Sequence, residues 1–537
     1  MSNFTSVKQV HSLETARSKR WDMIVVGAGM GGAALAYGLG EQGFSVLLIE
    51  QGIENPLADD NNSAAMSADP IYRAARGRWP TQIKLDLNGS KSSIWPALGS
   101  GLGGSTLLYG AALSRLEPRD FESRKIPGGR EVKWPFSYKD LHPHYVRAEQ
   151  IFKVSGTADP LSEHDCDKLL APPAMGECDR YIFRQLQKSG LHPYRSHNGI
   201  QYVDGCTECG GHFCARNCKS DARSALILPS LERNQISLLA RTEVLEVITD
   251  GPVATGVKAR RGKEEVFLTG DNIAIAAGSL VTPLLLKKSR SLAWPEGIGN
   301  NNDLVGRNLM FHASDFVALW PKQKIRRSGP GRTIALRDFY DSPLGKLGEF
   351  QSMGLSAGYP EILTYLHQVF DQSMFARLSP IKHLLRVPAF IGGYLFNEAT
   401  VFSTIVEDNP YLENRVVERY SPGASIEIKY IITPELKERV IAMRKMLKES
   451  VKGIRLLVIN RDVTLNYGHA CGTCSAGDEP DTSVLDTNCK VHAMDNLYVV
   501  DGSFMPTSGG TNPSLTIAAN GLRVAAAISA KQTSEDQ

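Results

Sequence analysis

Residues 22–50, DMIVVGAGMGGAALAYGLGEQGFSVLLIE, constrain this chain more than any other stretch. Met23-Ile24-Val25-Val26 is an apolar, β-branched run of the kind that forms a strand buried on both faces. Gly27, Gly29 and Gly32 then fall at the spacing G-x-G-x-x-G, a helical segment follows to about residue 43, and a second buried strand at 46–49 ends on Glu50. Each glycine has a separate job. Gly27 permits the tight turn, Gly29 lets the backbone approach a pyrophosphate, and Gly32 lets helix and strand pack closely. The helix start offers unpaired N–H groups and a positive dipole end to phosphates. Glu50 is placed to accept hydrogen bonds from a ribose. Strand, turn, helix, strand and acid together read as a dinucleotide-binding unit, and they fit NAD and FAD equally.

A chain of 537 residues is too long for one ordinary core and suggests about two to four domains. With 42% apolar and 22% charged residues it has the make-up of a soluble globular protein. A net charge of +3 is too small to argue for nucleic acid or a charged membrane surface. No run reaches the roughly 18 apolar residues that a transmembrane helix needs. Residues 1–20 carry basic side chains without an apolar core, so they read as a flexible arm and not as a secretory signal. A cytoplasmic location is the expectation. Nine cysteines in this length do not suggest a disulfide framework, but they cluster: Cys206, Cys209, Cys214 and Cys218, then Cys471 and Cys474.

Further along, residues 95–109 (WPALGSGLGGSTLLY) are glycine-rich, either a flexible loop or a backbone-lined turn pressed against a ligand. Residues 134–152 look like an entry turn and a short amphipathic helix, and ISLLARTEVLEV reads as one strand. Residues 271–286 read as a buried strand ending at Ala277-Gly278, with Thr282 as N-cap and Pro283 as the first helical residue. Between about 313 and 461 the pattern changes to strand-like pieces (401–406, 424–432) and one clear helix begun at Thr433-Pro434. Residues 496–500 are a further buried strand, ending at Asp501-Gly502. A helix follows from Asn512-Pro513, its N-terminus again aimed at a ligand site.

In this order the segments VVGAGMGGAALAYGL, GLGGSTLLYGAALSR, WPFSYKDLHPHYVRAE, IAAGSLVTPLLLKKS, LVGRNLMFH, VEDNPYLENRV, HACGTC and DGSFMPTSGGTNPSLTIAANGLR resemble the glucose–methanol–choline flavin oxidoreductases, over about residues 20–532. The resemblance implies an α/β fold: a Rossmann-like FAD-binding domain with an inserted α+β substrate domain of antiparallel sheet plus helices. The division expected is an arm at 1–20, a first FAD-binding part at 21–312 with a cysteine-rich insertion at about 200–222, and a substrate domain at 313–461. The FAD-binding part returns at 462–532, and 533–537 is a tail. The resemblance also implies roles. Gly27, Gly29, Gly32 and Glu50 would hold the ADP half of FAD, and Gly103, Gly104 and Ser105 the loop beside pyrophosphate and flavin. Val244 would contact the adenine, Asp501 would lie near the ribityl and pyrophosphate part, and Pro513 would start the helix beside the flavin. His469 matches the catalytic histidine and Asn512 its His-or-Asn partner. The chain departs from the family pattern at Tyr109, where the loop usually carries Asn, and at Cys471 and Cys474 after His469.

A neutral imidazole is a suitable base for the hydroxyl proton of an alcohol that is losing hydride. His469 is the expected base and Asn512 the second ligand of the substrate oxygen, although an Asn before Pro is also an ordinary helix cap. The expected reaction is FAD-dependent oxidation of an alcohol of sugar, aminosugar or polyol type, with O2 or another carrier reoxidising the flavin. A lyase with structural FAD, an NAD-dependent dehydrogenase, and a dehydrogenase subunit passing electrons to a partner protein remain alternatives. The spacing C-x2-C-x4-C-x3-C at Cys206, Cys209, Cys214 and Cys218 suits an Fe–S cluster or, second, zinc, and equally a loop of reduced or paired thiols.

Overall fold

The structure is a computed structural model. It describes the chain except residues 1–10, 60–67, 165, 167, 324, 326–327, 355–361, 364–365, 368–369, 371–378, 397–398, 418–425 and 536–537. Of the polar residues 51–69 after Glu50, 60–67 lie outside the described residues.

The first strand, Trp21–Val26, is buried along nearly all its length. It pairs in parallel with Val46–Ile49 on one side and with Glu264–Ile275 on the other. Ile236–Leu239 and Leu497–Val499 extend this sheet at its two edges, again in parallel. The resulting order places strands from residues 236, 46, 21, 264 and 497 side by side, and parallel neighbours need crossover connections between them. Met30–Glu41 is the first such helix. The long helix Ser514–Glu535 lies beside it at very short range, since a Cβ on Gly38 would sit 2.7 Å from Ala525 Cβ and one on Gly521 2.8 Å from the Gly31 carbonyl. The first half of Glu264–Ile275 leaves the parallel sheet and pairs antiparallel with Val253–Arg261, which pairs with Glu243–Asp250.

Three local expectations change. ISLLARTEVLEV is two strands, Ile236–Leu239 and Glu243–Asp250, because the chain turns at Arg241 with φ +53° and changes sheet surroundings there. Thr282 is the first residue of the helix Thr282–Lys288 and not its cap; its hydroxyl is committed to Asp501 instead. The N-terminal arm is helical at Leu13–Arg17, capped by Ser12, with Leu13 and Ala16 buried.

A second, antiparallel sheet orders Ala335–Leu336, Gly348–Ser352, Thr400–Val406, Met310–Ala313 and Leu465–Cys471, and Phe316–Pro321 joins Thr400–Val406 to Ile454–Val458. The helix Pro434–Ser450 covers its hydrophobic side, with Leu436, Val440, Met443 and Leu447 buried and Thr433 accepting from Leu436 N as cap. A smaller sheet unites Arg415–Val417 and Glu427–Tyr430 with Ile83–Leu87 and Ser90–Ile94 from far earlier in the chain. Among the described residues no helix is long and apolar enough to cross a membrane.

Candidate functional site

Between the parallel and antiparallel sheets lies a cavity of about 1020 Å3. That is at the upper end of the roughly 300–1,000 Å3 of small-molecule sites, as an extended ligand plus a second small molecule would need. One end is built on the first strand–turn–helix unit. Gly27 takes φ +103°, the turn only glycine makes freely, and a Cβ on Gly32 would collide with the Gly27 carbonyl. Gly31 is equally constrained, against the Val500 carbonyl. Gly29 differs: it lines the cavity and a Cβ there would meet nothing, so its bare backbone faces open space. Gly29 is also the helix N-cap and supplies no side chain, leaving the first N–H groups and the positive dipole end to an anion in the cavity.

Glu50 is buried and lines the same end, with its carboxylate accepting from Ala28 N at 3.0 Å and Gly52 N at 2.8 Å. Burial outweighs these bonds and pushes its pKa up to about 7. Gly104 and Ser105 line the cavity, and a Cβ on Gly104 would lie 2.7 Å from Gly29 Cα, so the two glycine turns touch. Gly103, at φ +113°, shapes the turn from behind, and Val244 lines the wall. Asp501 has both oxygens engaged: Gly278 N (2.9 Å) and Thr282 Oγ1 (2.5 Å) on one, Ser503 N (2.8 Å) and Ser503 Oγ (2.5 Å) on the other. It therefore fastens the C-terminal return to the end of the central strand. Bare glycine backbone, an uncapped helix start and a buried acid fit the ADP half of a dinucleotide.

The other end is polar, and among the described residues no carboxylate lines it. His469 and Asn512 both line it. His469 Nδ1 lies 2.9 Å from His312 Nδ1, and His312 Nε2 lies 2.9 Å from the Gly509 carbonyl oxygen. A carbonyl can only accept, so Nε2 of His312 carries that ring's proton and its Nδ1 is a lone pair. That lone pair accepts from His469, which must hold its own proton on Nδ1. Nε2 of His469, without a partner among the described residues, is left as the basic atom. Burial, and then the neighbouring His312, hold His469 well below the usual histidine range; burial pushes His312 down to about 4. Both rings are neutral near pH 7.

Asn512 is not occupied as a cap. Its amide exchanges two bonds with Gln351, Nδ2 to Oε1 at 3.2 Å and Oδ1 from Nε2 at 3.4 Å, leaving one N–H for the cavity. Gln351, Ser403 and Phe316 form one row across the antiparallel sheet and all face the cavity. Sequence reading missed His312 and Gln351, which lie 157 and 161 residues from their partners His469 and Asn512.

Tyr109 lines the cavity and donates its hydroxyl to the Ser220 carbonyl, which joins the glycine-rich loop to the cysteine loop. Lys219 Nζ reinforces that joint by donating to the carbonyls of Leu107, Tyr109, Cys209 and His212 at 2.8–3.0 Å. Gly210 and Gly211 of the cysteine loop also reach the cavity. Cys206, Cys209, Cys214 and Cys218 are free thiols, with Cys214 Sγ 3.3 Å from Cys218 Sγ. Among the described residues no group of three or more His, Cys, Asp or Glu side chains is placed to hold a metal ion. Cys471 and Cys474 are buried and unpaired, and burial raises both thiols.

Residues 21–314 and 426–521 match the N- and C-terminal models of GMC oxidoreductases. Paromamine 6'-oxidase of Streptomyces fradiae is 29% identical over 95% of this chain and 91% of its own length. 6'''-Hydroxyparomomycin C oxidase of Streptomyces lividus is 28% identical over the same shares. Among solved structures, pyridoxine 4-oxidase from Mesorbium loti superposes with a TM-score of 0.63 at 19% identity, over 95% of this chain and 99% of that one.

Proposed function

The chain belongs to the GMC oxidoreductase family and is an FAD-dependent alcohol oxidoreductase, and from that premise we propose that His469 is its base. The observation that carries this is the imidazole relay, Gly509 O to His312 to His469, which leaves an unprotonated Nε2 at the cavity. FAD supplies the hydride acceptor. A substrate hydroxyl donates to His469 Nε2 and accepts from the spare N–H of Asn512, which Gln351 holds in place. As hydride leaves the carbon, the hydroxyl proton passes to Nε2, and the imidazolium so formed keeps its Nδ1–H on His312.

Gly27, Gly29, Gly32 and Glu50 hold the ADP half in this proposal, Val244 the adenine side, and Gly103, Gly104 and Ser105 the middle of the cofactor. Asp501 acts by fixing the loop, and Pro513 directly precedes the helix Ser514–Glu535, whose N-terminus would favour negative charge on a flavin bound beside it by about 0.3–2 kcal/mol. Residues 21–312 and 462–532 are then the cofactor half and 313–461 the substrate half, with strands Met310–Ala313 and Leu465–Cys471 as the seam. The substrate is of sugar, aminosugar or polyol type, a class supported by the relatives' names and by Asn512, Gln351 and Ser403 in the cavity wall. O2 or another carrier takes the electrons. A cytoplasmic location accords with cysteines that form no disulfide.

One observation favours a second reading, in which an Fe–S cluster or zinc sits at Cys206, Cys209, Cys214 and Cys218 and hands electrons to a partner protein: Gly210 and Gly211 of that loop line the cavity. The sulfurs are not arranged for a metal, so no step of the reaction runs through them. Iron, zinc and acid-labile sulfide all near zero in active yellow protein would close that reading.

The test of the main proposal is anaerobic bleaching of the flavin by polyols and sugars. His469→Ala should stay yellow and lose about 10²–10⁴-fold in the rate of flavin reduction. Full activity in that variant would remove His469 from the role, and a reaction without any bleaching would point to a lyase.

A further inference from the structure

Arg332 lines the same cavity although its side chain is only 6% exposed. Its Nε forms a buried ion pair with Glu208 Oε2 at 3.6 Å, too long for a hydrogen bond, and among the described residues Nη1 and Nη2 donate none. The other oxygen of Glu208 is taken by Tyr202 OH at 2.9 Å and Gly331 N at 2.6 Å. The guanidinium end packs closely against the Gly110 backbone, since a Cβ there would collide with its nitrogens. Glu208 balances the charge of Arg332, but among the described residues Nη1 and Nη2 are left to the cavity, and the group that fits such a fork best is a carboxylate.

Accepting the oxidation chemistry above, we propose that Arg332 binds a carboxylate of the substrate, so that the alcohol oxidised here is carried by a sugar-type acid and not by an aminosugar. The rest of the wall agrees. Among the described lining residues the only acids are Glu50 and Asp501, both at the dinucleotide end and both engaged by backbone N–H groups. No lining carboxylate is left to meet an ammonium group. The other lining guanidinium groups are committed, Arg73 to the carbonyls of Trp79 and Pro96 and Arg78 to Asp59. Arg332 also stands at a suitable remove from the chemistry. Gln351, which holds Asn512, and Met353 are successive cavity-facing residues of one strand end, and Arg332 Cγ packs against Gly354 just beyond. Two to three residues of strand put the carboxylate site on the order of 7–10 Å from Gln351, a sugar-sized distance.

The test is spectral titration of the bound flavin under nitrogen with three compounds of one carbon skeleton: gluconate, glucitol and 1-amino-1-deoxyglucitol. Gluconate should perturb or bleach the flavin at a concentration about tenfold or more below that needed of glucitol, and the amine should be weakest. Arg332→Gln should erase the difference between gluconate and glucitol, and Arg332→Lys should keep part of it. Equal responses to all three, or a gluconate preference that survives in Arg332→Gln, would overturn the proposal. So would loss of flavin from Arg332→Gln, which would assign the fork to the cofactor. Bleaching by glucitol or the amine alone would sink the carboxylate site while leaving the oxidation intact. Spectral binding with no bleaching by any of a wider sugar, polyol and sugar-acid panel would sink the oxidation of this substrate class and leave the Arg332 site standing.

Discussion

Replacing His312 with leucine should slow flavin reduction by about 5- to 150-fold while the protein stays yellow. The figure comes from the relay. His312 gives Nε2–H to the Gly509 carbonyl and offers Nδ1 to His469, each at 2.9 Å. Leucine removes that acceptor, and a buried N–H without a partner costs about 1–3 kcal/mol. His469 escapes the cost by moving its proton to Nε2, where it can no longer accept from the substrate. The active tautomer then lies about 1–3 kcal/mol above the inactive one, which at 1.36 kcal/mol per tenfold is about 5- to 150-fold. His312→Gln is the control, because its amide can donate to Gly509 and accept from His469, and it should recover most of the rate. Stopped-flow absorbance of the bound flavin under nitrogen, with substrate varied, separates the rate of reduction from binding. A leucine variant within twofold of the parent, with flavin bound, would refute the tautomer argument.

The same pair sets the pH response. Burial lowers the His469 pKa, so its neutral form persists below 6.5, and the acid limb of flavin reduction should lie well under that value; a limb at 6.5 or above would contradict it. Gly31→Ala should destabilise by at least about 1–3 kcal/mol, because its methyl collides with the Val500 carbonyl, and thermal melting would read this as a lower Tm. Lys219→Met should free four carbonyls from one donor and loosen the cysteine loop, seen as severalfold faster labelling of Cys206 and Cys209 by a thiol reagent.

What could be read in advance was whatever depends on near neighbours in the chain. Gly27 and Gly32 answer to turn and packing within one strand–helix unit, and Thr433 to the three residues after it. Asn512 could be narrowed only to cap or catalyst, because its competing partner, Gln351, sits on a strand whose register no local pattern encodes. His312 is one of 12 histidines, and only the pairing of Ala313 with Leu465 brings it to His469. The strand read as continuous from 236 failed at Arg241, where a non-glycine residue adopts positive φ and leaves no compositional trace. Arg332 had no signal at all in sequence; its meaning comes from what it fails to touch.

The strand Leu497–Val499 and the helix after it complete a sheet begun at Trp21. During synthesis the fingerprint therefore emerges long before its counterpart. A nascent chain that has made residues 21–275 has most of a nucleotide-binding sheet, but it lacks Asp501, Asn512 and the edge strand. Until then the apolar faces later covered by residues 497–535 stand open. A nucleotide site that uses Asp501 and Asn512 is therefore complete only once the last segment of the chain has been made.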